Sequence, residues 1–160
     1  MKVALVMGSI SDWPVVKQTA SVLDDLKINY DKKIISAHRM PEHLQQFAKN
    51  AKDEHYQAII AAAGGAAHLP GMLAANTLVP VIGVPVFTKS LHGVDSLLSI
   101  VQMPFGVPVA TVAVGNSGAK NAGLLAAQML GMNDDSIYQR LVSYRKNQSE
   151  EAIRSNEQLE

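Results

Sequence analysis

The sequence predicts an α/β protein in which a parallel β-sheet lies between two layers of helices. Two observations support this prediction: short segments that are apolar on both faces alternate with longer segments of helical periodicity, and five such apolar segments are present. A strand must be apolar on both faces when helices cover it on each side. Strands that alternate with helices pair in parallel through right-handed crossovers, so the expected architecture is a three-layer α/β/α sandwich.

The five predicted strands differ in the strength of their signals. They cover residues 3–7, 28–35, 58–63, 79–86 and 108–114, and the second is the weakest. Pro80 and Pro85 place the fourth strand near an edge of the sheet or bracket it, because proline cannot donate a hydrogen bond to a neighbouring strand. A flavodoxin-like strand order of 2-1-3-4-5 is the commonest arrangement for five such units.

The helical segments predict a single domain over residues 1–160, with a core over about 1–131 and a C-terminal helical extension over 134–160. Residues 121–130 are apolar nearly all round, which indicates a helix buried on more than one side. Asp134 suits the start of the last helix, where a carboxylate meets the positive end of the helix dipole. The end of the extension has few apolar residues, so it either frays or lies on another subunit.

The composition excludes several classes of function. The 14 Lys and Arg residues balance 14 Asp and Glu residues, so the chain lacks the basic excess typical of nucleic-acid and anionic-membrane binding. It has no cysteine, and therefore neither a disulfide framework nor a cysteine-based metal site. No apolar run approaches the length of a membrane span or resembles a secretory signal. We expect a soluble, cytoplasmic protein.

The residues that follow the strands are the candidates for a functional site, because ligands of open α/β sheets bind beyond the carboxyl ends of the strands. The first strand is followed by Gly8, Ser9, Ser11 and Asp12. Their hydroxyls and the free backbone amides at a helix start can hold an anion. Alternatively, Ser11 or Asp12 only caps the helix.

Two further junctions carry histidine. The second strand is followed by Ser36, His38 and Arg39. Arginine can bind a phosphate or carboxylate, and histidine exchanges protons near neutral pH. The third strand is followed by the glycine-rich segment 64–72, whose backbone can approach a ligand closely. Structural roles for His38, Arg39 and His68 are an equal alternative at this point.

Other chemistries lack the patterns that they require. His43, His55 and His92 lie in ordinary polar stretches, and we expect them to face solvent. No histidine pair has metal-ligand spacing with a third ligand in view, and no serine lies in a G-x-S-x-G elbow. The residues alone therefore predict an α/β domain that binds a small anionic ligand and has a histidine available for proton transfer, without a metal or a covalent nucleophile.

Taken together, the junctions resemble those of a known enzyme family. The strings Met7-Gly8-Ser9-x-Ser11-Asp12-Trp13 and Ser36-Ala37-His38-Arg39-x-Pro41, with segment 63–72, are similar to motifs of the N5-carboxyaminoimidazole ribonucleotide mutases. The similarity continues through residues 95–104, 108–111 and 121–126, and so covers the chain from residue 3 to about residue 130. Each motif is weak alone, but jointly they are specific.

The resemblance implies an isomerase of purine (IMP) biosynthesis that converts N5-carboxyaminoimidazole ribonucleotide to 4-carboxy-5-aminoimidazole ribonucleotide by decarboxylation and recarboxylation. It implies His38 as the general acid and base, and neither a metal nor a cofactor. The implied partners are the nucleotide substrate and further copies of the chain in a homo-octamer. The implied substrate-binding residues are Ser9, Asp12, Ser36 and Arg39 around the ribose and phosphate, and Gly64, Gly65, Ala66, His68 and Leu69 around the transferred carboxyl group.

Two alternatives stay open. The first is a non-enzymatic flavodoxin-like module, either a flavin carrier or a receiver domain. A receiver needs an acceptor aspartate at the end of the third strand, where this chain has Ala61-Ala62-Ala63-Gly64. The second is a related enzyme that carboxylates aminoimidazole ribonucleotide directly with carbon dioxide. The resemblance implies a lysine after the active histidine in those relatives, so Arg39 and segment 64–68 favour the mutase.

Overall fold

Five parallel strands form the central sheet of the computed structural model, which describes residues 1–159. They lie in the order β2-β1-β3-β4-β5, and every neighbouring pair is parallel. The predicted flavodoxin-like order is therefore confirmed. The strands are β1 (Lys2–Met7), β2 (Tyr30–Ile34), β3 (Tyr56–Ala63), β4 (Val81–Pro85) and β5 (Ala110–Thr111).

The described part of the chain contains six α-helices, none of which is long and apolar enough to cross a membrane. Two short 3-10 turns, Ile10–Asp12 and Ser155–Gln158, precede the first helix and follow the last. The helices are α1 (Trp13–Asp25), α2 (Pro41–Asn50), α3 (Leu69–Ala74), α4 (Val94–Val101), α5 (Asn116–Gly131) and α6 (Asp135–Arg154).

Helices cover both faces of the sheet. Consecutive residues of a strand point to opposite faces, so each strand contributes side chains to both helical interfaces. Val3 and Leu5 of β1 pack in one core with α1, α5 and α6, whereas Ala4 and Val6 pack in a second core with α2 and α3. All four side chains are fully buried. The predicted three-layer sandwich is thus confirmed, and the apolar residues of β1 divide between its two cores.

The fourth and fifth strands differ from their predicted extents. β4 lies between β3 and β5, so its prolines bracket an internal strand and do not mark an edge of the sheet. Pro80 precedes β4, Pro85 ends it, and neither interrupts the ladder between them. β5 pairs with β4 through Ala110 and Thr111 alone, shorter than the predicted 108–114. The chain leaves the sheet soon after Thr111, and the Ala113 carbonyl then lies against Gly118 at the start of α5.

α5 is buried against α1, α6 and the sheet, as its all-round apolar pattern predicts. It begins at Asn116, ahead of the predicted start at residue 121. Small residues on α5 let α1 approach closely, and the Thr19 hydroxyl donates to the Ala119 carbonyl at 2.7 Å. α6 begins at the expected cap, where the Asp134 carboxylate accepts from the Ser136 amide at 2.9 Å. Beyond Tyr144 this helix continues to its end with exposed side chains.

We predict that Gly118→Ala destabilises the fold. A Cβ atom at this buried position would overlap the Ala113 carbonyl oxygen, and because that atom belongs to the backbone, no side-chain rotation relieves the overlap. Overpacking of this kind costs about 1–3 kcal/mol or more. The loss should appear in the free energy of unfolding measured by urea titration. The exposed neighbour provides a control, since Ser117→Ala should change that value by less than about 0.5 kcal/mol. Equal stability of the two variants would contradict the close approach.

Candidate active site

A cleft opens at the carboxyl ends of β1, β2 and β3, which are neighbours in the sheet. Its volume is about 370 Å³. A larger groove of about 630 Å³ lies between the end of α1 and α6, but it contains none of the residues that the sequence singles out for chemistry. The cleft is lined by Gly8, Ser9, Ser11, Asp12, Ser36, Ala37, His38, Arg39, Ala63, Gly64, Ala66, His68 and Leu69.

The cleft brings together all of the predicted site residues except Gly65. Gly65 lies behind the lining, and its amide and carbonyl are hydrogen-bonded to α4. Gly8 and Ser11, which the sequence placed in the anion-holding loop, also line the cleft, as do Ala37 and Ala63, to which the sequence alone assigned no role. Their signal was their place inside the junction motifs, next to residues that carry functional groups.

The loop after β1 is held in shape by its own side chains. Ser9 caps the 3-10 turn that precedes α1, and its hydroxyl accepts from the Ser11 amide at 3.3 Å. The Asp12 carboxylate accepts from the Ser9 amide at 3.0 Å, which completes a capping box. Asp12 occupies the N-cap position of α1, as one of the two alternatives expected, but its side chain bonds back to Ser9 and makes no capping hydrogen bond to α1 itself. Burial raises the pKa of the Asp12 carboxyl, and hydrogen bonds from the Ser9 and Gly8 amides oppose this rise.

The loop after β2 presents a guanidinium group with free hydrogen-bonding capacity. Arg39 donates through Nε to the Ser36 hydroxyl at 3.0 Å, and Nη2 lies 3.5 Å from the Gly8 carbonyl. Neither ion pair found among residues 1–159 involves Arg39. Ser36 is buried, whereas Arg39 is exposed at the cleft. The positive charge of Arg39 is thus held in place by neutral partners and is available to an anionic ligand.

Two histidines meet across the cleft. His38 Nε2 lies 2.8 Å from His68 Nδ1, and the rings are nearly perpendicular, with an interplanar angle of 84°. A hydrogen bond between two imidazole nitrogens requires a proton on one and a lone pair on the other. The two rings cannot both be doubly protonated while this bond persists. The two residues lie 30 positions apart in the chain, and no sequence pattern connects them.

Ahead of His68, the loop after β3 contributes mainly backbone to the cleft. Gly64 packs against the residues that follow β4, and a Cβ atom on it would lie 3.4 Å from the Val86 Cβ. Gly65 has a φ of +70°, a conformation that side-chain-bearing residues rarely adopt. Ser96 of α4 binds the Gly65 amide, and nothing in the sequence pattern connected these two residues.

The remaining histidines take no part in this arrangement. His43, His55 and His92 are all exposed and lie outside the lining of the cleft. Residues 1–159 contain no group of three or more His, Asp or Glu side chains that could hold a metal ion. The chemistry that the cleft itself offers is therefore anion binding and proton transfer.

A sequence model of the AIR carboxylase family matches residues 2–151. The chain belongs to the AIR carboxylase family. The N5-carboxyaminoimidazole ribonucleotide mutase of Haemophilus influenzae is 56% identical over 148 residues, which cover 92% of this chain and 90% of that protein. The mutase of Bacillus subtilis is 52% identical over 157 residues, covering 98% of this chain and 97% of the relative.

The same family membership extends to the three-dimensional fold. The crystal structure of Treponema denticola PurE has a TM-score of 0.88 at 29% sequence identity, and the match covers 99% of this chain and 98% of that one. The resemblance predicted from the junction motifs is confirmed. Similarity over nearly the whole chain decides against a receiver domain or a flavin carrier.

We predict that Asp12→Asn stabilises this protein at neutral pH. Burial raises the pKa of Asp12 in the folded protein above the unfolded value of about 3.8. The protonated carboxyl therefore contributes fully to folding stability below pH 3.8, and this contribution is lost as the pH rises through the folded pKa. Asparagine can still accept from the Ser9 amide but never ionises. The melting temperature of the variant should therefore rise relative to that of the unaltered protein as the pH is raised from about 3 to about 7.

Asp134→Asn is the matched control for this prediction, because its carboxylate shift has the opposite sign. A hydrogen bond from the Ser136 side chain, aided by the Ile137 amide, lowers the pKa of Asp134. The ionised form therefore stabilises the fold, and this contribution is lost as the pH falls through the lowered value. The control should lose stability relative to the unaltered protein as the pH rises, and the same trend in Asp12→Asn would contradict our account of Asp12.

Proposed function

We propose that this member of the AIR carboxylase family is a mutase, an isomerase that converts N5-carboxyaminoimidazole ribonucleotide to 4-carboxy-5-aminoimidazole ribonucleotide in purine biosynthesis. The observation that carries the proposal is the 2.8 Å hydrogen bond between His38 and His68 in the cleft. Relatives that are 52–56% identical carry the name of this mutase. The reaction has to move a proton twice, and a histidine that is held by a second histidine can first donate the proton and then accept it.

The first half of the reaction needs an acid at the carbamate nitrogen. His38 donates a proton to this nitrogen, the bond between nitrogen and the carboxyl carbon breaks, and its electron pair remains on the nitrogen. Carbon dioxide and aminoimidazole ribonucleotide are formed side by side in the cleft. His38 is left with an unprotonated ring nitrogen, which prepares it to act as a base.

The second half needs a base at C4 of the ring. C4 is electron-rich because the amino nitrogen donates electron density into the ring, and it attacks the carbon of carbon dioxide to form a new carbon–carbon bond. His38 then takes the proton that leaves C4. Atoms and charge balance over the two halves, so the reaction needs no oxidant, ATP or carboxyl carrier.

His68 acts in this scheme through His38. The bond between the two rings orients the His38 imidazole and lets His68 accept the proton that His38 holds in its charged form. Only one doubly protonated ring is compatible with this bond, so the pair carries a single mobile proton. His68 is thus the partner that keeps His38 in a state able to donate and then accept.

The other cleft residues divide between the two ends of the substrate. Arg39 binds the phosphate, because its guanidinium has no acidic partner within residues 1–159 and offers a planar set of donors. Ser9, Asp12 and Ser36 surround the ribose and phosphate. The backbone of segment 64–66, with His68 and Leu69, encloses the transferred carboxyl group.

The test of the proposed function is conversion of the carbamate substrate by the purified protein without ATP or added bicarbonate. We expect the C4-carboxylated product to form under these conditions. Replacement of the general acid and base in His38→Asn should lower kcat by about a hundredfold to ten-thousandfold. Substrate affinity should persist, because Arg39 and the loop after β1 are unchanged.

Arg39→Ala is the matched comparison, because it removes a binding group and leaves the acid and base in place. The fall in kcat/KM of this variant should appear mainly as a higher KM, provided that the phosphate contact is equally strong in the ground and transition states. Near-normal kcat in His38→Asn would overturn the assigned role of His38. Product formed only from aminoimidazole ribonucleotide with high bicarbonate would identify a direct carboxylase and overturn the mutase.

We also propose a cytoplasmic homo-oligomer, with the octamer of the family resemblance as the expected state. Several large apolar side chains are exposed in the single chain, among them Leu78, Leu98 and Phe105, which are 102%, 59% and 108% accessible. Exposed apolar surface of this kind favours association. A cytoplasmic location suits a phosphorylated substrate that does not cross membranes freely.

Light scattering should therefore give a mass that is a multiple of 17.2 kDa, with eight copies as the expected number. The measurement should be made at micromolar concentration and at two ionic strengths, because association through apolar surface persists when salt screens charges. A charged substitution in the exposed surface, Leu98→Glu, should lower the mass. A mass of 17.2 kDa for the unaltered protein would contradict the proposed assembly.

A further inference from the structure

The glycine-rich wall of the cleft is held from behind by α4. Ser96, on the first turn of this helix, is fully buried. Its hydroxyl accepts a hydrogen bond from the Gly65 amide at 2.9 Å and donates one to the Val86 carbonyl at 2.6 Å. One hydroxyl group thereby joins α4, the end of β4 and segment 64–66, with its donor and acceptor functions both satisfied.

Ser99 makes a second and lesser contact with the same glycine. Its hydroxyl lies 3.1 Å from the Gly65 carbonyl and 2.7 Å from the Asp95 carbonyl. A serine has one proton to donate, and the shorter bond takes the larger share of it. Ser96 is therefore the principal anchor of Gly65, and Ser99 is an auxiliary one.

Gly65, which lies directly behind the wall, is the residue of segment 64–66 where an anchor has the greatest effect. No atom beyond its chain neighbours lies within 4 Å of the position that a Cβ would take, so side-chain packing does not restrain it. Its carbonyl accepts from the Ala67 amide at 2.8 Å, and the Ala66 carbonyl accepts from the His68 amide at 2.9 Å. A displacement of Gly65 would therefore move both the wall and His68.

The first turn of α4, which carries Ser96, is itself held in place by hydrogen bonds. The Thr88 hydroxyl donates to the Asp95 carboxylate at 2.7 Å and accepts from the Gly93 amide at 3.2 Å. These bonds tie the first turn of α4 to the chain that follows β4. Ser96 is thus presented to Gly65 from a helix start that its own loop holds in place.

We propose that Ser96 is a positioning residue for carboxyl transfer, which keeps the wall closed around carbon dioxide by holding the Gly65 amide. This inference rests on the proposed mutase function. Carbon dioxide has no net charge for Arg39 or another cation to bind, so its retention depends on the shape of the enclosing backbone. Loss of the anchor should let carbon dioxide escape between the two halves of the reaction, while the substrate still binds.

The test is the fate of the intermediate in Ser96→Ala. The carbamate substrate yields either the C4-carboxylated product or free aminoimidazole ribonucleotide, and both are measured after subtraction of the decomposition that occurs without enzyme. We expect kcat for product to fall by about tenfold to a hundredfold, because a displacement of about 1 Å can cost up to about a hundredfold. The released share of aminoimidazole ribonucleotide should rise by a similar factor. KM should change by less than about threefold, because the ribose and phosphate contacts lie on other loops.

Three further variants separate anchoring from general stability. Ser96→Cys keeps the side-chain shape but weakens both hydrogen bonds, so its released share should lie between that of the unaltered enzyme and that of Ser96→Ala. Ser99→Ala should raise the released share less than Ser96→Ala. Ser143→Ala removes a similar bond to the carbonyl four residues back, at 3.0 Å on α6, and should leave the released share unchanged.

If folded Ser96→Ala releases the same share of aminoimidazole ribonucleotide as the unaltered enzyme, the proposal is overturned. An equal rise in Ser143→Ala would also overturn it, because the effect would then be unrelated to the cleft. Where Ser96→Ala does not fold, as judged by circular dichroism, Ser96→Cys and Ser99→Ala decide by the same criterion. If the unaltered protein forms no C4-carboxylated product, the proposed function fails rather than the role of Ser96.

Discussion

The place of β1 between β2 and β3 is the constraint on which the rest of the site depends. The chain leaves β1 through α1 on one face of the sheet and leaves β2 through α2 on the other. The connections therefore part at the carboxyl end of β1, and a crevice opens between them. Because all the strands are parallel, the three loops that carry functional groups reach the same edge.

The site residues are held by neutral contacts that leave their charges available. Arg39 is oriented by a hydroxyl and a carbonyl rather than by a carboxylate. Asp12 is buried against backbone amides that only partly offset the cost of its burial. Such an arrangement places charge where a ligand can use it, at the expense of the stability that complete pairing would provide.

The glycine-rich wall of the cleft, segment 64–66, is held in its conformation in a different way. A backbone that approaches a ligand without side chains loses the packing that normally fixes a loop, so its conformation has to be set by hydrogen bonds from elsewhere. α4 supplies these bonds through its serines, and its first turn is tied to the preceding loop. α4 therefore shapes the cleft without lining it.

The sequence by itself determined the fold class, the number of strands and the three junctions that form the cleft. These features are local: a strand covered on both faces is apolar at every position, and glycine, proline and polar residues mark the points where strands end. The lengths of β5 and α5 were less accessible, because they depend on where Ala113 turns against Gly118.

Only the tertiary structure decided how the junction residues meet. The bond between His38 and His68 joins positions 30 apart in the chain, and the bond between Gly65 and Ser96 joins positions 31 apart. It likewise decided that Gly65 lies behind the wall of the cleft and not on its surface. Such contacts depend on the order of the strands and the path of each loop, which periodicity and motif spacing do not encode.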